Sequence, residues 1–319
     1  MRKLFGLVLI FCMMLTVSAQ DEDITTAQDL ADENGQFVMV DDVELYYVTE
    51  GDNSNPAVIL IHGFGGSTFT WRDNISVIAD AGYYVVALDL PPFGLSDKSA
   101  EISHTREAYA DYVVGLMDSL AIERASIVGH SMGGGVTAYL AVTHPERVDK
   151  LVFVAGGVAS EEMETTETDA DASSPLGAFA SLDLDPDGMV QIIENTLVPA
   201  TFASLIESAY YDASIMTDEV IAGYARPIQI DGWANGFVAY WLTEDSDSIT
   251  LDDFVEAIDV PVLIIWGEED TWVPISMGFA MNDALDNTIL ITYPQVGHVP
   301  MEETVEAFNS DLIAFLEGN

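Results

Sequence analysis

Apolar residues in this chain follow two rhythms. Nearly unbroken apolar runs at 57–61, 83–88, 151–155 and 262–266 predict short strands buried on both faces, as in a parallel sheet. Residues 288–293 predict a further strand. The alternating stretches 36–40 and 43–49, joined by Asp41-Asp42, predict an edge hairpin. Between these runs apolar positions recur at helical spacing, as at Trp71, Ile75 and Ile78, or at Tyr109, Tyr112, Val113 and Leu116 within 106–120. Helices are also predicted over 276–284 and 304–316. Alternating strands and helices predict an α/β fold, a mostly parallel sheet with helices on both faces.

The rhythm breaks after the strand at 151–155. Residues 158–175 are rich in Glu, Asp, Thr and Ser without a period. Residues 176–242 read as several helices carrying Phe202, Tyr210, Tyr211, Trp233, Phe237, Tyr240 and Trp241. Alternation resumes at 262. The predicted organisation is therefore a core of 20–157 and 250–319 with a helical insertion, 158–249, after the sixth strand. No internal repeat is present.

The first residues form a separate object. Arg2 and Lys3 precede an almost wholly apolar run from Leu4 to Val17, and Val17-Ser18-Ala19 offers small residues for cleavage. This pattern predicts a secretory signal peptide over 1–19, and hence a periplasmic or extracellular protein. The run is short of the ~20 residues of a membrane span. Cys12 is the only cysteine. The exported chain would hold none, which excludes disulfides, a thiolate nucleophile and cysteine metal sites. Residues 21–35 are acidic and polar and read as a loose leader.

Charge narrows the partners. Against 54 Asp and Glu stand 9 Lys and Arg, a net charge of -45, and after Lys150 the only Lys or Arg is Arg226. Such a surface repels phosphate backbones and anionic membranes, which points to a small-molecule substrate and not to nucleic acid. Acidic excess also suggests, as a hypothesis, a salty habitat. A melting temperature that falls steadily as salt is added would contradict it. Oligomeric state is not encoded in any of these features.

The candidate chemistry lies in Gly129-His130-Ser131-Met132-Gly133-Gly134, where a buried strand turns sharply into a helix. Side chains at 129 and 133 would collide with neighbouring backbone, and the turn lifts the Ser131 hydroxyl clear of the sheet. The Met132 N–H then opens a helix, where a developing oxyanion is stabilised. Serine needs a base held against it. His298 follows the last strand, and loops at the C-terminal ends of parallel strands gather on one edge, so His298 can meet Ser131. Of the other histidines, His62 is read as orienting its own loop, His130 as pointing away from Ser131, and His104 and His144 as solvated. The base needs a carboxylate on its other ring nitrogen. Trp266-Gly267-Glu268-Glu269-Asp270 supplies three, of which Asp270, where the chain turns back, is the expected partner and Glu268 and Glu269 a solvated face. The Phe64 N–H in His62-Gly63-Phe64-Gly65-Gly66 is the expected second oxyanion donor.

These motifs, with Asp89-Leu90-Pro91-Pro92-Phe93-Gly94-Leu95-Ser96 and Gly297-His298, resemble the α/β-hydrolase superfamily, in its branch with a helical cap. The chain order Ser, Asp, His is also that family's order. The resemblance spans nearly all of 36–319 and implies that the insertion caps the Ser131 edge. It implies a serine hydrolase with Ser131, Asp270 and His298 catalytic, Phe64 and Met132 forming the oxyanion hole, and no cofactor or metal required. Aspartate at the Ser131 position, as in dehalogenases and epoxide hydrolases of this fold, is absent. Pro92 stands where relatives usually carry a glycine.

The leading expectation is hydrolysis of uncharged, fairly apolar carboxylic esters or lactones through an acyl-enzyme. C–C bond hydrolysis or cofactor-free perhydrolysis on the same triad is the alternative, and a catalytically silent binding protein a third. Two features compete with this reading. Residues 183–188, with Glu194, match the spacing of an EF-hand calcium loop. The other reading is a helix start with Asp185 as N-cap and Pro186 at the first helical position. Arg226 is either a substrate-carboxylate ligand or a helix end.

Overall fold

The computed structural model describes residues 24–159, 185–196, 199–243 and 249–318. The signal-peptide segment and the acidic stretch 160–184 lie outside the described residues.

Eight strands form one sheet in the order β1-β2-β4-β3-β5-β6-β7-β8: β1 Gly35–Val40, β2 Val43–Glu50, β3 Ala57–Ile61, β4 Tyr84–Leu88, β5 Ala125–His130, β6 Val148–Val154, β7 Val262–Gly267 and β8 Thr288–Tyr293. The hairpin β1–β2 and the β2–β4 pair are antiparallel, and every other pair is parallel. The apolar runs account for the parallel part. In β3, Ala57, Ile59 and Ile61 join the core on one face, and Val58 and Leu60 join the core on the other. In β7, Val262, Ile264 and Trp266 face the first core, Leu263 and Ile265 the second. Each such strand is covered twice, which is why polar positions are excluded from it. Helices Arg106–Ser119 and Met132–Thr143 cover the first face through Tyr109, Val113, Leu116, Val136 and Leu140. Helices Ile75–Asp80 and Val305–Glu317 cover the second through Ile75, Ile78, Phe308 and Leu312.

Between β6 and β7 lie the cap helices Pro186–Thr196, Pro199–Glu207, Asp218–Ala225 and Trp233–Leu242. They carry a third, smaller core of Met189, Ile193, Ala234, Phe237 and Val238, packed on Phe93 with Phe64 and Met132 at its border. The insertion therefore sits over the loops that hold the sequence motifs. Among the described residues no single helix is long and apolar enough to cross a membrane.

One expectation changes and two open readings are decided. The leader is docked through Asp32, which accepts a bidentate pair from Arg226 at 2.7 and 3.0 Å and the Tyr46 hydroxyl at 2.8 Å. That same contact makes Arg226 a structural clamp between leader and cap. The helix reading of residues 185–196 holds, because Asp185 caps it by accepting from the Gly188 N–H at 2.8 Å. With Gly188 inside a regular helix, residues 186–194 do not have the backbone of a calcium loop, residues 183 and 184 lying outside the described residues, and among the described residues no acidic or histidine cluster is arranged to hold a metal ion.

Candidate active site

Ser131 sits between β5 and helix Met132–Thr143 with φ 50 and ψ -118, a conformation L-residues rarely adopt. Three neighbours enforce it. The Ser131 N–H donates to the Val154 carbonyl at 2.9 Å, which ties the turn to the end of the next strand. A Cβ at Gly133 would lie 2.6 Å from the carbonyl oxygens of Ile61 and His62, and one at Gly129 2.3 Å from Gly133 O. Gly156, which no sequence pattern singled out, is equally constrained: its Cβ would lie 2.3 Å from Ser131 O. The helix can therefore start directly against β3 and β6. The Met132 N–H is in its first turn, with no acceptor inside the helix.

His298 and Asp270 are brought together. His298 Nδ1 lies 2.8 Å from Asp270 Oδ2, and the two side chains are 2 % and 0 % exposed. The other carboxylate oxygen, Oδ1, accepts from the N–H groups of Trp272 and Val273 at 2.8 and 2.9 Å. The carboxylate is thus held in one orientation, and its partner nitrogen must be the N–H donor. The Trp272 ring stacks on His298 at 5.3 Å. The other ring nitrogen, Nε2, is then the basic one. Among the described residues the Ser131 hydroxyl is not hydrogen-bonded to His298, a contact that in enzymes of this kind often tightens only with substrate bound.

The loop after β3 is braced by a buried histidine. His62 Nε2 accepts the Leu90 N–H at 2.8 Å, so its proton is on Nδ1, which donates to Gly63 O at 2.7 Å. Burial pushes its pKa down to about 4 and keeps it neutral. Asp89, also buried, accepts the N–H groups of Thr68 and Leu95, both at 2.6 Å. Its carboxyl is raised to about 6 by burial, against the pull of those two donors. Together His62 and Asp89 fix the oxyanion loop to the Pro91-Pro92 loop, whose connecting peptide is cis. The Phe64 ring points into the cap, against Phe93, Phe237 and Tyr240 at 5.4–5.7 Å.

Several residues behave differently from expectation. His104 is buried, not solvated, and burial lowers its pKa. Glu269 accepts the Val296 N–H at 3.1 Å and so braces the histidine loop, while Glu268 is exposed as expected. The sequence also gave no sign of Glu302 and Glu303. Buried Glu302 accepts Arg72 Nη2 at 2.5 Å and the hydroxyls of Tyr210, at 2.6 Å, and Tyr224. Glu303 accepts the N–H of Gly297 at 2.7 Å and of Tyr211 at 2.8 Å, and the His298 N–H donates to Ala209 O at 2.7 Å. Cap residues 209–224 are therefore riveted to the loop that carries the imidazole. No pattern spacing announces such contacts, because the partners lie about 80 to 90 residues apart.

Beside Ser131 opens a cavity of about 490 Å³. Aromatic side chains of Tyr109, Tyr240 and Trp241 share its wall with His104 and Arg106. The arrangement can bring a carbonyl carbon to Ser131 in a pocket of mixed polar and apolar lining with one guanidinium on its wall.

The fold is that of a hydrolase on a mostly parallel α/β sheet, and the comparisons show the same class. The family model for the alpha/beta hydrolase fold matches residues 56–304, and the chain belongs to that family. It is 28% identical over 278 residues to "Uncharacterized hydrolase YugF" of Bacillus subtilis (strain 168), covering 87% of this chain and 96% of that protein. It is likewise 28% identical over 281 residues to the 2-hydroxy-6-oxo-6-phenylhexa-2,4-dienoate hydrolase of Comamonas testosteroni, covering 86% and 92%. Among solved structures it is similar to the meta-cleavage product hydrolase CumD of Pseudomonas fluorescens IP01. The TM-score is 0.71 at 27% identity, over 89% of this chain and 98% of that one.

Proposed function

We propose that this chain is a serine hydrolase that cleaves a C–C bond beside a ketone in an unsaturated oxo acid. The observation that carries the hydrolase part is the buried Asp270–His298 pair beside a conformationally forced Ser131. The Ser131 oxygen attacks the ketone carbonyl as His298 takes its proton, and the N–H groups of Phe64 and Met132 hold the oxyanion. The C–C bond then breaks, its electron pair leaving with a carbon that takes a proton. Water, with His298 again as base, hydrolyses the acyl-serine. Asp270 fixes the imidazole tautomer throughout.

One observation supports the oxo-acid class: relatives of this identity and coverage are named for 2-hydroxy-6-oxo acids. The second reading is the one the sequence suggested, uncharged esters or lactones. It is favoured by the net charge of -45, whose field slows the approach of an anion. The purified protein should be assayed with 2-hydroxy-6-oxo-6-phenylhexa-2,4-dienoate and with a chain-length series of uncharged 4-nitrophenyl esters, Ser131→Ala serving as the blank. Faster turnover of the dienoate supports the first reading, and turnover of esters alone assigns the second. Activity that survives Ser131→Ala sinks both readings by removing Ser131 from the chemistry, and no turnover on either panel sinks both and leaves a binding protein on this fold.

Export is part of the same proposal, supported by the basic start and apolar run of residues 2–17. Recovery of the native protein only from the cytoplasmic fraction would refute export, and an N-terminus beginning at Met1 would refute cleavage of the segment.

A further inference from the structure

The residue before the nucleophile does not simply point away. His130 is 5 % exposed, and its Nε2 lies 2.8 Å from the backbone carbonyl oxygen of His298. A carbonyl only accepts, so Nε2 carries the proton. The two imidazoles lie 4.8 Å apart at 51°. With Nε2 protonated and the ring neutral, Nδ1 is an acceptor, and it has no hydrogen-bond partner among the described residues. It faces Gly63, where a Cβ would come 2.8 Å from it and 2.9 Å from Ser131 Cβ. Alongside is a small chamber of about 20 Å³ lined by Gly63, Phe64, Thr70, Tyr224, Trp272 and His298 among others. That is room for roughly one water.

We infer that His130 is a positioning residue, whose Nε2–H hydrogen bond to the His298 carbonyl sets the distance between the base and Ser131. The path is short. Ser131 and His130 are peptide-bonded at the rigid end of β5, and the imidazole reaches directly to the main chain of residue 298. Three further contacts hold residue 298, the Ala209 carbonyl on its N–H, Asp270 on its ring and the Trp272 ring stacked against its imidazole, and none leads to Ser131. His130 is the link that does. Burial, reinforced by the neighbouring His298, keeps its imidazole neutral, so no second cation forms beside the imidazolium of the catalytic cycle. The inference rests on the proposed Ser131–His298 chemistry.

The test is a three-member series at one position. Glutamine places an amide N–H as many bonds from Cβ as histidine Nε2 and can reach the same carbonyl. Asparagine places its N–H where Nδ1 lies, toward the chamber, and cannot. Leucine has no donor. With whichever substrate the parent hydrolyses, His130→Gln should keep kcat within about threefold. His130→Asn and His130→Leu should lose at least tenfold in kcat with KM little changed, on the scale of the ~10²-fold that a 1 Å misplacement costs. If the leucine variant does not fold, the two amides, alike in polarity, still decide. Equal kcat across the series, equal losses in both amides, or a loss expressed only in KM would overturn the inference. A parent inert on every substrate would overturn the catalytic reading itself, and is told apart because no variant would then differ from it.

Discussion

Replacing Asp270 by asparagine changes one atom, and the structure dictates where that atom goes. Oδ1 accepts two backbone N–H groups, from Trp272 and Val273, at 2.8 and 2.9 Å. An amide NH2 in that position would face two donors, so in Asp270→Asn the oxygen must stay there and the NH2 must turn to His298. It then donates to Nδ1, which was the donor in the parent. The imidazole is forced into the other tautomer, with its proton on the nitrogen that should receive the Ser131 proton. The same inversion in the Ser-His-Asp template lowers kcat by about 10⁴, which corresponds to about 5.5 kcal/mol in activation free energy. The native fold should survive, because every backbone donor keeps an acceptor. The assay is kcat with the parent's best substrate, alongside the melting temperature and the rate of fluorophosphonate labelling at Ser131. The expected result is a loss of about 10³–10⁴ in both rates with a near-parental melting temperature. Glu269→Gln is the control and should stay within about threefold, since Glu269 only braces Val296. An Asp270→Asn protein that retains more than a tenth of parental kcat would refute the assignment of the acid.

Three other outcomes follow from the same contacts. Phe64→Pro deletes a backbone N–H and should lower kcat by about 10²–10³; Phe64→Leu keeps the donor, and equal losses in the two would dismiss the oxyanion role. Glu302→Gln leaves the Arg72 guanidinium without its buried counter-charge and should cost about 3–5 kcal/mol of stability; an unchanged urea midpoint would contradict this. His62 titrates near 4 in the fold against a usual 6.5, so between those pH values the unfolded chain binds more protons and stability falls as pH drops. The contribution is on the order of 3 kcal/mol. Parent and His62→Gln melting temperatures should therefore converge from pH 6.5 down to 4, and a constant gap would count against it.

Much of the fold was legible because its signals are local. A strand covered on both faces must be apolar at nearly every position, so β3, β4 and β7 appear directly as runs, β3 with its observed boundaries and the other two off by one residue at one end. A strand-to-helix turn as tight as that at Ser131 needs glycine where a Cβ would meet backbone, so Gly129 and Gly133 mark it in one dimension. The Asp270 and His298 loops could be paired because the C-terminal ends of parallel strands share an edge, a rule of topology.

What the sequence left open depends on which distant surfaces touch. Glu302 and Glu303 look like two more carboxylates in a chain of net charge -45, and only the fold sets one against Arg72, Tyr210 and Tyr224 and the other on the backbone of Gly297 and Tyr211. His104 passed for a surface residue because burial is not a property of its neighbours in sequence. His130 was read from its place beside Ser131, while its hydrogen bond goes to a carbonyl 168 residues away. Sequence by itself determined the strands, the turn and the candidates for the proposed chemistry, because those follow from backbone sterics and short-range pattern. Tertiary structure alone decided how those groups are held and what lines the cavity beside them, because hydrogen bonds and burial act through space between segments that no local spacing relates.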